Sequence, residues 1–166
     1  MDFRGYNIKM ASTRLYVDSS VWNAAFDEHV PEMHALTHEF LNRLAVETWA
    51  EALVSDVVLQ ELAGAPKQRL EQLGQLLTRI APTRLDFDEE AATLADAYIQ
   101  HGVLSVGHLE DAKHVAVATV AEVDALVSWN YRHLVNRRRR EAFNGVNAIL
   151  GYRPIDIVSP PEVFDE

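Results

Sequence analysis

The sequence contains no cysteine, which excludes disulfide bonds, thiolate zinc sites and cysteine nucleophiles, and this fits a reducing compartment. No apolar run approaches the roughly 18 residues of a membrane span, and the start MDFRGYNIKM lacks the apolar core of a signal peptide. Walker loops, GxGxxG and serine-nucleophile elbows are also missing, which disfavours NTPase, dinucleotide-binding and serine-hydrolase functions. We therefore expect a cytoplasmic protein that has no contact with the membrane.

The charge is unevenly distributed along the chain. The net charge is −10 over 166 residues, which opposes binding to a polyanion unless positive charge is concentrated locally or supplied by a metal. One stretch is strongly basic, and we call it the basic cluster: Arg132, His133, Arg137, Arg138, Arg139 and Arg140. It could receive a phosphate backbone, and so contact RNA. It could equally be the solvated first turn of a surface helix or a docking face for an acidic partner.

Short apolar runs alternate with helical patterns along the whole chain. The predicted strands are 15–17, 52–54, 83–87, 125–129 and 155–158. The predicted helices include 31–47, 57–63, 66–80, 88–100, 111–123 and 137–150, and Pro160-Pro161 should end regular structure. Strands that alternate with helices imply a mainly parallel sheet covered on both faces. The sequence, with 48% hydrophobic residues, thus predicts one α/β domain with about five strands.

Four polar residues fall at the end of a predicted strand or in the adjoining helix, namely Asp18, Glu61, Asp111 and Asn130. Ligands of parallel sheets lie beyond the carboxyl ends of the strands, so one edge could gather all four. Carboxylate and amide oxygens suit a hard cation such as Mg²⁺ or Mn²⁺. Asp18 would be the central ligand, with Glu61 and Asp111 reaching in from helices and Asn130 or Ser20 completing the coordination. The pattern favours metal-dependent phosphodiester hydrolysis.

Each of these residues also has a structural interpretation. Asp18 and Asp111 could cap helices, Glu61 could be an acid on an exposed helix face, and Asn130 could be a turn residue. His114 lies one turn after Asp111 in the predicted helix. It could donate a hydrogen bond near the site or simply pack within the helix layer.

Four segments together resemble a known family. They are LYVDSSVW at the first strand, VLQELAGA around Glu61, EDAKHVAVATVAEVDALVSWNYRHL from Glu110 to Leu134, and GYRPIDIVSPPEV near the end. The chain resembles a PIN domain, and most of all the bacterial VapC-like branch, which comprises toxins of type II toxin-antitoxin pairs. The resemblance spans nearly the whole chain after the first dozen residues. It implies a single PIN-like domain over 1–166, with 1–12 as an N-terminal extension.

The resemblance implies a three-layer α/β/α sandwich and a Mg²⁺- or Mn²⁺-dependent endoribonuclease. The metal-binding acids of the family map onto Asp18, Glu61 and Asp111, and Ser20 matches a polar residue that contacts metal-bound water or the acids. A fourth acid is often present where this chain has Asn130, which leaves the site one charge poorer and could weaken binding of a second metal. A cognate antitoxin whose tail blocks the site, and a homodimer, are further implications.

Other functions remain to be weighed against the nuclease. A PIN-like module that binds RNA or protein without cleaving would show weak metal affinity and would tolerate Asp18→Asn. A phospho-accepting receiver should have an acidic pair on the first strand and a lysine near the last one, and both are absent. A haloacid-dehalogenase-type phosphatase should have a second aspartate where Ser20 stands.

Overall fold

Five parallel strands form the centre of the protein in a computed structural model that describes residues 12–164. They are β1 (Thr13–Val17), β2 (Ala50–Ser55), β3 (Thr83–Leu85), β4 (Ala125–Val127) and β5 (Asp156–Val158). Their order across the sheet is β3-β2-β1-β4-β5. The chain builds outward from β1 to β3 on one side and then crosses back to β4 and β5. The strand order therefore reverses between β1 and β4, where a binding crevice is expected.

Seven α-helices connect and cover the strands. They are α1 (Ser19–Ala24), α2 (Pro31–Val46), α3 (Asp56–Ala63), α4 (Lys67–Ile80), α5 (Glu89–Gln100), α6 (Leu109–Val120) and α7 (Arg137–Leu150). Because parallel crossovers are right-handed, α1–α4 lie on one face of the sheet and α5–α7 on the other. The packing agrees, since α5 contacts α6 and α7, while α1 and α4 each contact both α2 and α3. This gives the predicted three-layer α/β/α sandwich with an all-parallel sheet.

Side-chain caps set the start of three helices. The Ser55 hydroxyl accepts hydrogen bonds from the backbone N–H groups of Val57 and Val58 at the start of α3. The Asp88 carboxylate accepts a hydrogen bond from the N–H of Ala91 at the start of α5, and the Asn136 amide oxygen accepts one from the N–H of Arg139 at the start of α7. These caps satisfy N–H groups that have no partner within the helix. The capping residues are of the types that the sequence pattern requires at a helix start.

The core is dominated by aromatic and branched aliphatic side chains, and α6 is buried nearly all round, as predicted. Tyr98 of α5 is one of its fully buried aromatics. Its hydroxyl donates a 2.6 Å hydrogen bond to Oδ1 of Asn147 on α7, and its ring meets the ring of Phe143 edge-on at 4.9 Å. Burial raises the pKa of the Tyr98 hydroxyl, so it stays protonated as a donor. These contacts join α5 to α7.

The predicted five strands are confirmed, although β4 is shorter than predicted and ends at Val127. The N–H of Trp129 donates to Oγ of Ser20, and that of Asn130 donates to Oγ of Ser128, instead of extending the strand. Asn130 therefore follows the strand by three residues, where we had placed it directly after. A π-helical turn, Tyr131–Val135, comes next, and the sequence pattern did not predict it.

Two further predictions were wrong in detail. Asp111 does not begin α6, which starts at Leu109 and places Asp111 in the first turn. Pro160-Pro161 does not end regular structure, because a 3₁₀ helix spans Pro160–Phe164. The carboxylate of Glu162 accepts hydrogen bonds from both the N–H and the hydroxyl of Ser159, and the Phe164 ring packs on aromatic neighbours. These contacts hold the segment that follows β5.

The predicted N-terminal extension, 1–12, lies outside the described residues except for Ser12. Within 12–164, none of the helices has the combination of length and apolar composition that crossing a bilayer requires.

Candidate functional site

Asp18 lies at the carboxyl end of the central strand, next to the end of β4. Val17 pairs with Val127, so Asp18 and Ser128 are adjacent across the junction between the two strands. The Asp18 N–H donates to the Val127 carbonyl at 3.0 Å, which extends the ladder by one residue. Only 4% of Asp18 is exposed. A carboxylate this buried needs hydrogen-bond donors or positive charge close by.

Serine hydroxyls supply those donors. Oδ2 of Asp18 accepts hydrogen bonds from Oγ of Ser20 and from Oγ of Ser128, both at 2.7 Å. Oγ of Ser19 lies 3.3 Å from the other carboxylate oxygen, Oδ1. Hydrogen bonds to the ionised form stabilise it and restrict its orientation. The sequence therefore folds so that α1 and β4 together fix the direction of the Asp18 carboxylate.

His114 of α6 connects Asp18 to Glu61. Its Nε2 lies 3.3 Å from Oδ1 of Asp18 and is hydrogen-bonded to Oε1 of Glu61. Its Nδ1 lies 2.8 Å from the hydroxyl of Tyr16, which is in turn 2.7 Å from Oγ of Ser55. The imidazole is fully buried, whereas the Glu61 side chain is 38% exposed. A continuous polar network thus runs from β2 through β1 and α6 to the surface.

Burial and charge within the network shift the pKa values of His114 and Asp111, and burial raises that of Tyr16 as well. Burial lowers the pKa of His114, but the carboxylates of Asp18, Glu61 and Asp111 more than offset this, so the net shift is upward. Burial and the nearby charge of Asp18 raise the pKa of Asp111, which is opposed in part by the surrounding histidines. Three carboxyl groups surround a single imidazole, so the acids outnumber the one basic group among them. The site is therefore electrostatically suited to a divalent cation.

Asn130 is bonded to one of the acids. Its Nδ2 donates to Oδ1 of Asp111 at 3.2 Å, and its own Oδ1 accepts from the N–H of His133 at 3.0 Å. The amide thereby caps the π-helical turn and orients the carboxylate at the same time. Both of the roles that we considered for Asn130, as a turn residue and as a site residue, are compatible with this geometry.

The structure brings the predicted acids to one edge, but it does not cluster them tightly. Within 12–164, one set of three or more histidine and carboxylate side chains has all its ligand atoms within 4.8 Å of one another, and that set is His108, Asp111 and His133. Asp18, Glu61 and Asp111, which we call the carboxylate site, are spaced more widely. Their oxygens are hard donors of the type that Mg²⁺ and Mn²⁺ prefer, so the donor chemistry fits such an ion.

The arginines of the basic cluster fall into three groups. Arg139 donates to the carbonyl of Val103, and Arg140 donates to that of Ile157, so both are used inside the fold. Arg137 pairs with Glu141 at 2.7 Å on the surface. Arg132 and Arg138 are exposed and form no ion pair with any of the residues that the structure describes. These two guanidinium groups are the ones best placed to meet an anion.

Several residues at this edge were missed in the sequence. Ser128 could have been found, because it directly follows β4 just as Asp18 directly follows β1, and neighbouring parallel strands end side by side. Tyr16 and Ser55 carried no such signal, since a tyrosine in a strand and a serine before a helix are common as core and cap residues. His108 lies before α6 in a stretch without any motif.

The fold is similar to that of chains in two solved VapBC structures. A chain in the crystal structure of VapBC2 from Rickettsia felis bound to a DNA fragment from their promoter aligns with a TM-score of 0.58, over 88% of this chain and 98% of that one, at 15% identity. A chain of DNA-bound VapBC from Salmonella typhimurium aligns with a TM-score of 0.53, over 89% and 98%, at 18% identity. No protein-family description and no curated protein sequence matches the chain. The predicted PIN-like fold is confirmed.

Proposed function

We propose that this protein is a Mg²⁺- or Mn²⁺-dependent endoribonuclease, with Asp18, Glu61 and Asp111 as metal ligands and Asn130, Ser20 and His114 as positioning residues. One observation supports this most strongly. A buried aspartate at the reversal of strand order is oriented by two serine hydroxyls and lies in a network that keeps surplus negative charge. Ligands are expected in such a crevice, and the Asp18 side chain accepts no hydrogen bond from the N–H groups of α1, as a capping aspartate would.

The donor set fits a hard divalent ion, which, when bound, would activate water and offset charge on the phosphate. The chain's own residues have separate tasks. Ser20 and Ser128 hold Asp18 in one direction, Asn130 orients Asp111, and His114 keeps Glu61 close to Asp18. His114 also places one positive charge among the acids, which reduces their mutual repulsion.

RNA binding would use the exposed part of the basic cluster. The net charge of −10 repels a polyanion at long range, so local guanidinium groups must provide the attraction. Arg132 and Arg138 project from the π-helical turn and from the start of α7, close in sequence to Asn130. A phosphate backbone that contacts them would lie along the edge that contains the carboxylate site.

The similar structures support a role as the toxin of a toxin-antitoxin pair. Both are VapBC complexes, and this chain covers 98% of the matched chains. A cognate antitoxin is therefore a protein partner that we propose, and a homodimer of this chain is proposed from the family resemblance alone. Growth arrest upon expression, relieved by the product of a neighbouring small gene and absent for Asp18→Asn, would support this assignment. Arrest that persists with Asp18→Asn would contradict it.

The decisive experiment is cleavage of a mixed cellular RNA pool by the wild type, Asp18→Asn and Glu61→Gln, with Mg²⁺, with Mn²⁺ and with EDTA. Asp96→Asn is a matched control, since Asp96 is an exposed acid on α5. We expect metal-dependent cleavage that the control retains and the two site variants lose. Circular dichroism should show that all variants are folded.

A second candidate function is binding of RNA or protein without cleavage. The replacement of a fourth acid by Asn130, hydrogen-bonded to Asp111, is the observation that favours it, because one charge fewer weakens metal affinity. Folded wild-type protein that cleaves in no condition, yet binds RNA as well as Asp18→Asn does, would overturn the nuclease proposal in favour of this one.

A further inference from the structure

A second cluster of ligating side chains lies beside the carboxylate site. His108 ends a 3₁₀ helix just before α6, Asp111 lies in the first turn of α6, and His133 lies in the π-helical turn. Their ligand atoms all lie within 4.8 Å of one another. We call this set the histidine site. Nothing in the proposed ribonuclease reaction uses His108.

The distances are close to those of a coordinated ion. Metal–nitrogen and metal–oxygen bonds to zinc are about 2.0–2.2 Å, so two ligands of one tetrahedral ion are about 3.4 Å apart. Nδ1 of His108 is 3.9 Å from Oδ2 of Asp111, slightly beyond that separation. The remaining separations, at up to 4.8 Å, need to shorten by up to roughly 1.4 Å, which side-chain rotation can supply.

A second observation points to a ligand at this position. Among the buried side-chain nitrogen and oxygen atoms of 12–164, Nδ1 of His133 alone has no hydrogen-bond partner. Buried polar atoms nearly always have one, so an unpartnered imidazole nitrogen needs an explanation. The His133 ring also stacks on the His108 ring, with centroids 3.9 Å apart and an interplanar angle of 30°. The two imidazoles are therefore held together.

The donor types determine which metal would bind. Two imidazoles and one carboxylate suit Zn²⁺ or another late first-row ion, whereas Mg²⁺ prefers oxygen ligands alone. The His108 side chain is 42% exposed, so the position is accessible and water can complete the coordination. We propose that His108, Asp111 and His133 form a Zn²⁺ site distinct from the carboxylate site, although the two share Asp111.

The sharing of Asp111 has a consequence, which rests on the proposed nuclease function. A Zn²⁺ ion held by both histidines would engage Oδ2 of Asp111 and thereby withdraw a carboxylate from the neighbouring site. Zn²⁺ should therefore inhibit Mg²⁺-dependent cleavage, and His133→Gln should relieve the inhibition. Binding is measured independently of this effect, so failure of the nuclease proposal would leave the Zn²⁺ site testable.

The test is calorimetric titration of Zn²⁺ into protein that carries no polyhistidine tag, in excess Mg²⁺. We expect one Zn²⁺ per chain in the wild type and in Asp18→Asn, and at least a roughly tenfold weaker affinity in His108→Gln and in His133→Gln. His29→Gln, at an exposed histidine between α1 and α2, is the matched control and should bind like the wild type.

Nitrogen-15 NMR of the histidine rings would identify the ligands directly. Zn²⁺ should shift a ring nitrogen of His108 and one of His133 while leaving His29 unchanged. Two outcomes would overturn the proposal. One is equal affinity in the wild type and both variants. The other is a Zn²⁺-dependent shift confined to His34 and His38, whose rings lie 4.5 Å apart on α2.

Discussion

The hydroxyl of Ser128 donates a 2.7 Å hydrogen bond to Oδ2 of Asp18 across the junction between β4 and β1. The bond joins residues that are distant in sequence, and it exists because the two strands are neighbours in the sheet. The bond also lies between β1 and β4, where the strand order reverses. The orientation of Asp18 is therefore a property of the sheet topology.

Ser128→Ala should weaken both stability and cleavage. The substitution removes one of two short donors to a buried carboxylate, which costs about 1.5–3 kcal/mol of the free energy of unfolding for a bond to a charged group. Urea denaturation measures the stability, and RNA cleavage at saturating Mg²⁺ measures the rate. Ser105→Ala is the control, because the Ser105 side chain caps no helix. An unchanged urea midpoint for Ser128→Ala would show that this hydrogen bond contributes nothing to stability.

Tyr16→Phe should destabilise the protein by about 1–3 kcal/mol, because both Ser55 and Nδ1 of His114 lose a buried partner. The measurement is the free energy of unfolding in urea. Tyr131→Phe is the matched control. It removes the hydroxyl of an exposed tyrosine, so it should change the free energy of unfolding very little. A similar loss of unfolding free energy in both variants would argue against a stabilising role for the hydrogen bonds of Tyr16.

The stabilising effect of His114 should depend on pH. Its folded pKa is raised above the ordinary value of 6.5, since Asp18 and Glu61 outweigh the effect of burial. A group of this kind contributes fully below its unfolded pKa and loses its contribution as the pH rises through the folded pKa. The difference in free energy of unfolding between the wild type and His114→Gln should therefore be largest below about pH 6 and shrink at alkaline pH.

Urea denaturation at a series of pH values measures this difference, and His29→Gln corrects for a histidine that is simply exposed. A difference that stays constant, or that grows with pH, would contradict an imidazolium between Asp18 and Glu61.

Arg132→Ala and Arg138→Ala should each weaken RNA binding and reduce its salt dependence by about one counterion. Both guanidinium groups are exposed, so these substitutions should leave the free energy of unfolding nearly unchanged. Arg153→Ala is the control, since Arg153 is exposed and pairs with Glu122 away from the basic cluster. Arg139→Ala should instead lower stability, because Arg139 binds the carbonyl of Val103. RNA binding measured across salt concentrations reports the first effect, and urea denaturation reports the loss of stability.

The α/β architecture could be predicted from the sequence because local patterns encode it. Apolar runs of three to six residues, separated by segments with helical periodicity, favour a parallel sheet with crossover helices. The bounds of α7 were predicted correctly, since Asn136, a capping residue type, precedes its start and Gly151 with positive φ follows its end, and both are strong local signals. The end of β4 was not predicted correctly, because the hydroxyls of Ser20 and Ser128 accept the backbone N–H groups that would otherwise extend the strand.

By itself the sequence determined which residue types follow each strand, and so which acids could meet at one edge. Only the tertiary structure decided their partners. The pairing of β1 with β4 sets Ser128 beside Asp18, the packing of α6 puts His114 between Asp18 and Glu61, and the π-helical turn brings His133 onto His108. Such contacts depend on strand order and helix packing, which are set by burial over the whole chain, and no local pattern records them.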